Sequence, residues 1–457
     1  MRIMLVSHRY LPDGVAGIER ITQSLAADLV RLGEDVSILS RRPGPSNAAP
    51  RMMRERLPDG TRLYRLVGGD VALDRFLNHH EELERLFTSA LVEAAPDVVH
   101  VLHLIGLPPR LIEIAERNGT AVVLSLQDFY FACPLAHLQK VSGELCSGPD
   151  GGRECASTCF ADGRPETYTR WGIRTAYFRR LLSLADRIIC PSYYVASYFD
   201  ALAGDGDRIR VVPNGVPAQV MEPPPAEESE PKEPGTLSIA FLGAVVAHKG
   251  AHVILEALEL AHIPSAELLL LGFAPDPSYA RSLRKRAEPI PGVKLRLYGA
   301  YRQEELRYLL DGVDCVVTPS QVPETFSITT REALARGIPA LVSRLGALPE
   351  AISDGENGLL FAHDRPAELA ATLRGLAFDR ELLEGLRAGA RKTRIMPAVE
   401  HAEAVRNVYA EAIDEVLAGR APSAGDLAEL QFLYDTLLEL GFAGAEAADR
   451  TLRRVAS

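Results

Sequence analysis

Residues 1–40, MRIMLVSHRYLPDGVAGIERITQSLAADLVRLGEDVSILS, decide the fold class. Arg2 to Ser7 (RIMLVS) reads as a short apolar strand. After it, Ile18, Ile21, Leu25, Leu29 and Leu32 recur at three- and four-residue steps, the spacing of one apolar helix face. Gly33 ends that helix, and Asp35 to Ser40 (DVSILS) is the next strand. Strand, turn, helix, strand is the unit from which parallel sheets are built.

The rhythm continues along the chain. Further strands read at Val98 to Leu102, Ala121 to Leu126, Ile188 to Pro191 and Ile209 to Val212. A second series follows at Leu237 to Leu242, Glu267 to Leu271, Lys294 to Tyr298, Asp314 to Thr318, Ala340 to Ser343 and Gly358 to Phe361, with helices such as Ala251 to Ala261 and Thr329 to Arg336 between strands. Such alternation predicts an α/β protein with doubly wound parallel sheets covered on both faces. A chain of 457 residues exceeds one ordinary core. Between the two series lies EPPPAEESEPKEPG (222–235), whose Pro and Glu content suits an exposed connection. The expected organisation is therefore a first Rossmann-like domain over 1–221, a linker over 222–235, a second over 236–400, and C-terminal helices over 401–457. Helices read at His401 to Leu417 and Ser423 to Leu440. The second places Leu427, Leu430, Leu433, Leu437 and Leu440 on one face, which either packs on a domain or forms a homodimer contact.

Composition narrows the function classes. Hydrophobic residues make up 47% and charged residues 24%, as in soluble globular proteins. No apolar run approaches the roughly 18 residues of a membrane span, and the first apolar segment reads as a strand, not a leader. Acids outnumber bases 61 to 50, which argues against a nucleic-acid groove. Six cysteines in so long a chain point to the cytoplasm, where thiols stay reduced.

Ligands of parallel α/β sheets bind beyond the carboxyl ends of the strands, so loops following strands carry the candidate site. In PDGVAGIER (12–20), Gly14 and Gly17 allow close backbone approach, and Glu19 sits in a first helical turn. In LGAVVAHKG (242–250), Lys249 precedes a helix, where a cation and free helix amides suit phosphate oxygens. In TPSQVPETFSITTREALARGIPA (318–340), Glu324 lies in the loop and Glu332 inside the following helix, which begins near Ser327. Helix amides suit a diphosphate, and a carboxylate suits paired sugar hydroxyls. A metal-dependent transferase would want a DxD motif at a strand end, but the DxD here (Asp205 to Asp207) reads as a turn.

Cys133, Cys146, Cys155 and Cys159 share a loop rich in Gly, Pro and Asp, whereas Cys190 and Cys315 sit on strands as small buried hydrophobes. The loop thiols fit a structural zinc site, free thiols or a redox pair, or an iron–sulfur cluster. Arg170, Arg174, Arg179 and Arg180 accompany Trp171, Ile173, Tyr177, Phe178 and Leu181 on one helical stretch. That pattern suits either a solvated basic face beside a core stripe or peripheral contact with an anionic membrane.

PETFSITTREALARGIPALVS (323–343) with EAISDGENGLLF (350–361) resembles the paired-glutamate signature of the family-four retaining glycosyltransferases. PDGVAGIERI, VVPNGV (211–216) and FLGAVVAHKG extend the likeness, and the cysteine loop suggests a subgroup carrying it in the N-terminal domain. The resemblance implies a GT-B fold, two Rossmann-like domains facing a cleft, with the last helix crossing back to the first domain. It implies a nucleoside-diphosphate sugar donor (UDP- or GDP-linked), a hydroxyl acceptor, and no metal cofactor in the transfer. By position, Glu332 would bind the donor ribose, Glu324 the donor sugar, and Lys249 with the Ser327 and Ile328 amides the diphosphate; Gly17 belongs to the first glycine loop beside the donor. The sequence departs from the pattern at three places. Ala244 stands where an arginine is common, with His248 nearby as a partial substitute. Leu102 takes the place of a histidine, leaving His103 as the candidate catalytic group. Gln127 precedes Asp128 where His-Asp is common. These departures leave open a binding-only nucleotide-sugar subunit or sensor, and paired glutamates disfavour a sugar epimerase.

Overall fold

The computed structural model describes residues 1–14, 16–42, 48–68, 80–204, 206–222, 235–419 and 424–439. The chain divides into two compact units. One comprises Met1–Asn214 with the chain from Ala398 onward, and the other comprises Gly215–Pro397.

The first unit contains β1 (Arg2–Ser7), α1 (Gly17–Arg31), β2 (Asp35–Arg42), β3 (Arg51–Arg56), β4 (Arg62–Val67), α2 (Glu81–Ala94), β5 (Val98–Val101) and α3 (Leu111–Arg117). It continues with β6 (Ala121–Ser125), α4 (Pro165–Leu184), β7 (Arg187–Cys190), α5 (Tyr193–Ala203) and β8 (Ile209–Val211). Its sheet runs β3-β4-β2-β1-β5-β6-β7-β8 and is parallel except where β3 meets β4. That antiparallel pair is absent from the sequence reading, because RMMRER has no apolar run and edge strands need none. Arg65 of β4 is buried and pairs with Asp13 at 2.7 Å and Glu55 at 2.9 Å.

The second unit contains α6 (Ala218–Met221), β9 (Leu237–Leu242), α7 (Ala251–Ala261), β10 (Ala266–Leu271), α8 (Pro277–Ala287), β11 (Val293–Gly299) and α9 (Leu306–Leu309). After these come β12 (Cys315–Thr318), α10 (Ile328–Ala335), β13 (Ala340–Ser343), β14 (Gly358–Phe361), α11 (Pro366–Phe378) and α12 (Arg380–Lys392). Its sheet, β11-β10-β9-β12-β13-β14, is parallel throughout. Both sheets reverse strand order beside their first strand, β1 or β9, which sets a ligand crevice at that strand's carboxyl end.

The unit boundary falls earlier than residue 221. Val216 donates its amide to Met396 O at 2.9 Å, and Val216 and Val220 are buried in a cluster with Ala240, Leu242 and Leu271. Apolar burial thus assigns Gly215–Met221 to the second unit. Residues 223–234, most of the expected linker, lie outside the described residues, as does Asp205 of the DxD turn.

Two final helices, α13 (Ala398–Leu417) and α14 (Ala424–Glu439), belong to the first unit. His401 of α13 bonds Pro213 O at 2.8 Å, and Tyr409 OH meets His100 Nδ1 at 2.7 Å. On α14, Leu430, Tyr434 and Leu437 are buried in the core of that unit, with Leu427 and Leu433 packed against it. The leucine face is therefore a packing face and not a free dimer surface; Leu440 lies outside the described residues.

The basic-aromatic stretch, α4, is corrected in the same way. Trp171, Tyr177, Phe178 and Leu181 are core residues, and Arg174 goes inward with them, 1% exposed with its guanidinium 4.1 Å from the Phe178 ring centre. Arg180 pairs with Asp426 and Glu429 of α14. Only Arg179 of the four arginines is exposed, so α4 offers no continuous face to a membrane. Among the described residues no helix is long and apolar enough to cross one.

Leu430→Ala is expected to cost about 2–5 kcal/mol in thermal unfolding of the first unit, with particle size by light scattering unchanged. A smaller particle of wild-type stability would instead make this face an intersubunit contact.

Candidate active site

In the second unit the site is assembled by strand adjacency. β9 and β12 are hydrogen-bonded neighbours in the register Cys315↔Ile239 and Val316↔Ala240, so the loops that leave them run side by side. Gln321 donates its amide to His248 O at 2.8 Å, tying one loop to the other. Gly250, at φ 79°, closes the turn before α7. A Cβ there would collide with the Pro319 carbonyl, so only glycine lets the loops approach this closely.

The result is a contact of 2.6 Å between Lys249 Nζ and Glu324 Oε1. The Lys249 side chain is 33% exposed and that of Glu324 only 11%. Burial alone would raise the Glu324 carboxyl. The charge and hydrogen bond of Lys249, with Ser320 and His248, instead hold it below the usual carboxylate range. The Glu324 backbone is pinned as well, since Ala347 donates to Glu324 O at 2.8 Å. That strand-like bridge runs past Gly346 (φ 61°), where any Cβ would strike the Glu324 main chain.

Three residues after Glu324, Ser327 caps α10 in a left-handed conformation, φ 59°. Its hydroxyl meets Thr330 Oγ1 at 2.8 Å and makes no cap bond to the helix backbone. Ser327 and Ile328 are half-buried, and the first-turn amides of α10 have no partner within the helix. Arg331 supports the turn: its guanidinium lies 3.6 Å from the centre of the Phe326 ring and bonds the Phe326 carbonyl. Glu332, one turn into α10, is 1% exposed and takes a long hydrogen bond from Gln303 Nε2 at 3.4 Å. Lys249, Glu324, Ser327, Ile328 and Glu332 thus occupy two adjoining loops and one short helix. An ammonium, helix amides and two carboxylates together can receive a ligand carrying both phosphate oxygens and vicinal hydroxyls.

His248 does not stand in for a missing cation. Burial, then the neighbouring Lys249 charge, push it down to about 4, so it is neutral at pH 7.

The remaining candidates lie in the first unit, at the ends of β1, β5 and β6. His103 Nε2 contacts Asp128 Oδ2 at 2.6 Å, and its Nδ1 accepts the Ile105 amide at 3.2 Å. Asp128 Oδ1 accepts the Tyr130 amide at 2.9 Å. Burial would raise Asp128, but the His103 charge and hydrogen bond and the Tyr130 amide hold it low. His8, which sequence reasoning missed, stands against His103 with ring centres 4.5 Å apart and lies 3.4 Å from Glu19. Its signal was positional: it is the first residue beyond β1. Burial, then His103 and Arg9, push His8 down to about 3. Gly17 is exposed at the start of α1, where an added side chain would meet open space. His100 is a core residue, held by Tyr409 OH and Ser125 Oγ at 2.7 Å each. Gln127 exchanges two hydrogen bonds with Asn214, and Leu102 is buried.

Two parallel α/β units with this loop arrangement define a GT-B glycosyltransferase. The family described as "Glycosyltransferase Family 4" matches residues 15–220, and "Glycosyl transferases group 1" matches 225–393. The chain belongs to the family-four glycosyltransferases. It is 25% identical to a glycogen synthase of Mycobacterium tuberculosis over 389 residues, 83% of this chain and 86% of that one. It is 31% identical to a D-inositol 3-phosphate glycosyltransferase of Xylanimonas cellulosilytica over 249 residues, 51% of this chain and 58% of the relative. Among solved structures, Anabaena HepE in complex with UDP and glucose superposes at a TM-score of 0.62 with 14% identity, over 90% of this chain and 99% of that one. Sucrose-phosphate synthase from Thermosynechococcus elongatus gives 0.65 with 18% identity, over 92% and 99%.

Because the folded-state Glu324 carboxyl is held below its unfolded value of about 4.3, its stabilisation exists above that pH and fades as pH falls through the folded value. Glu324→Gln should therefore lose about 1–2 kcal/mol at pH 7. Chemical-denaturation midpoints of variant and parent should converge as the pH falls below about 4.3. A gap of constant size across that range contradicts the ion pair.

Proposed function

We propose that this glycosyltransferase moves a sugar, with retention at the anomeric carbon, from a UDP- or GDP-linked donor to a hydroxyl acceptor, and that the transfer step needs no metal ion. The observation carrying this reading is the Lys249–Glu324 pair beside the α10 N-terminus. Charge develops on the diphosphate as it departs. The Lys249 ammonium and the Ser327 and Ile328 amides are the donors that receive it, in place of a divalent cation. Glu332 takes the ribose hydroxyls, and Glu324 holds a hydroxyl of the donor sugar while Lys249 keeps it ionised. Gly17, exposed at the start of α1, leaves open space for a ligand beside it. Asp128, whose side chain is 24% exposed, keeps lone pairs open beyond those given to His103 and Tyr130, so it is the acceptor-side carboxylate, oriented by His103.

One structural neighbour is in keeping with the donor class. HepE is solved with UDP, with UDP and glucose, and with UDP-glucose. The acceptor classes in keeping with the family are a growing polysaccharide, a lipid-linked sugar or a small natural product. The cytoplasm is the compartment that goes with such donors and with the thiol content.

The test is release of nucleoside diphosphate from a panel of nucleotide sugars, with and without chelator, and product anomers read by NMR. Turnover unchanged by EDTA with retained configuration is expected; nucleotide-sugar binding without turnover under any acceptor contradicts the reading. Glu332→Ala should weaken UDP binding by roughly 10- to 100-fold, the worth of a charge-assisted hydrogen bond. Glu324→Ala should leave binding nearly unchanged and lower kcat by about 100-fold. Negligible effects from both would remove the two glutamates from the site.

A further inference from the structure

We propose that Cys133, Cys146, Cys155 and Cys159 form a structural zinc site that fastens residues 133–160 onto α4. All four line one small cavity of the first unit, about 10 Å³ and large enough for a single water-sized body. None is in a disulfide. Glu154, Phe160 and Leu138 complete its walls.

Leu135, Leu138 and Ala156 tie the loop to the core, Phe160 stacks on Trp171 of α4 at 4.2 Å, and Lys140 pairs with Glu154 at 2.6 Å, but little of it is regular. Its regular structure is one bridge (Gln139↔Leu145), a turn at Asp150–Gly152 and a single π-turn at Cys155–Cys159. That π-turn turns the last two thiols to the same side of the chain. Ala136 (φ 64°), Leu138 (φ 52°) and Asp150 (φ 44°) are non-glycine residues in left-handed conformations. Each is a strained conformation that persists where the surroundings over-determine the backbone. A closed tetrathiolate centre does so, because one ion fixes four points of the chain at once.

Burial is the largest influence on Cys133, Cys146 and Cys155 and raises all three thiols; polar groups around them act against it. Backbone amides of Leu135 and Leu138 are directed at the Cys133 sulfur, and that of Gly148 at the Cys146 sulfur. Peptide donors aimed at sulfur favour the charged form and support ligating thiolates from outside the metal shell. The buried Arg174 guanidinium acts on both Cys133 and Cys155, and its positive charge offsets part of the double negative charge of a four-thiolate zinc centre. In their present rotamers no three His, Cys, Asp or Glu side chains among the described residues stand in metal-holding geometry. Binding of the ion therefore requires the thiols to turn towards the cavity they line, and Cys146 and Cys159 are the two that are partly exposed. Four cysteines without an open position suit zinc, and iron becomes an outcome of the test.

The site would also steady the acceptor side. Phe129 accepts the Cys133 amide at 2.6 Å and donates to Ala136 O at 3.2 Å, so the first cysteine turn is bonded directly to the residue after Asp128.

The test is elemental analysis of the untagged full-length chain. About one zinc per chain is expected, falling at least tenfold in Cys146→Ser/Cys159→Ser and unchanged in Cys315→Ser. Cobalt(II) added to the chelator-stripped parent should produce thiolate charge-transfer bands and the intense visible absorption of a tetrahedral centre. That measurement needs no variant and decides the matter even where the double variant does not fold. Less than about half an equivalent of zinc in protein with a protease-resistant loop, a stoichiometric iron content, or disulfide-linked loop peptides overturns the proposal.

Discussion

Parallel pairing of β9 with β12 is the constraint from which the second unit's chemistry follows. Once those strands are neighbours, the loops leaving them share one edge of the sheet, and a lysine from one reaches a buried glutamate on the other. The pair is satisfied without being sealed, for the ammonium remains a third exposed. A carboxylate kept ionised by an accessible cation, next to the open end of a short helix, is preorganised for an anionic ligand that also carries hydroxyls. Gly250 and Gly346 serve this arrangement by letting one main chain lie against another where a Cβ would collide.

The same logic operates in the first unit, where β1, β5 and β6 are consecutive in the sheet and their ends gather His8, His103 and Asp128. Here the groups answer one another. His8 is driven to its neutral form, while Asp128 stays charged through His103 and a backbone amide. Each sheet thus presents a carboxylate with a basic partner.

Much of this was legible in the sequence because parallel sheets write themselves as repeated apolar strands with helical spacing between. Positions following those strands could be singled out without coordinates, which is how Lys249, Glu324 and Glu332 were found. What escaped was set by tertiary contact. The edge strand β3 carries charged residues and no apolar period, and β4 beside it interrupts its buried Leu63, Tyr64, Leu66 and Val67 with Arg65. Helix α4 reads as a basic surface, yet Arg174 is drawn inward by aromatic rings, a choice that periodicity does not record. His248 looked like a cation, but only its burial beside Lys249 shows it to be neutral. The leucines of α14 could have faced a partner or a core, and the answer lay in which helix they meet.

The central claim is that Glu332, Lys249 and the start of α10 converge on one nucleotide diphosphate. A crystal structure of the full chain soaked with UDP tests it most directly. The account predicts ribose hydroxyls within hydrogen-bonding distance of the Glu332 carboxylate, with phosphate oxygens on the Ser327 and Ile328 amides and the Lys249 ammonium. A nucleotide bound elsewhere, with Glu332 still on Gln303 and Glu324 still on Lys249, would contradict it.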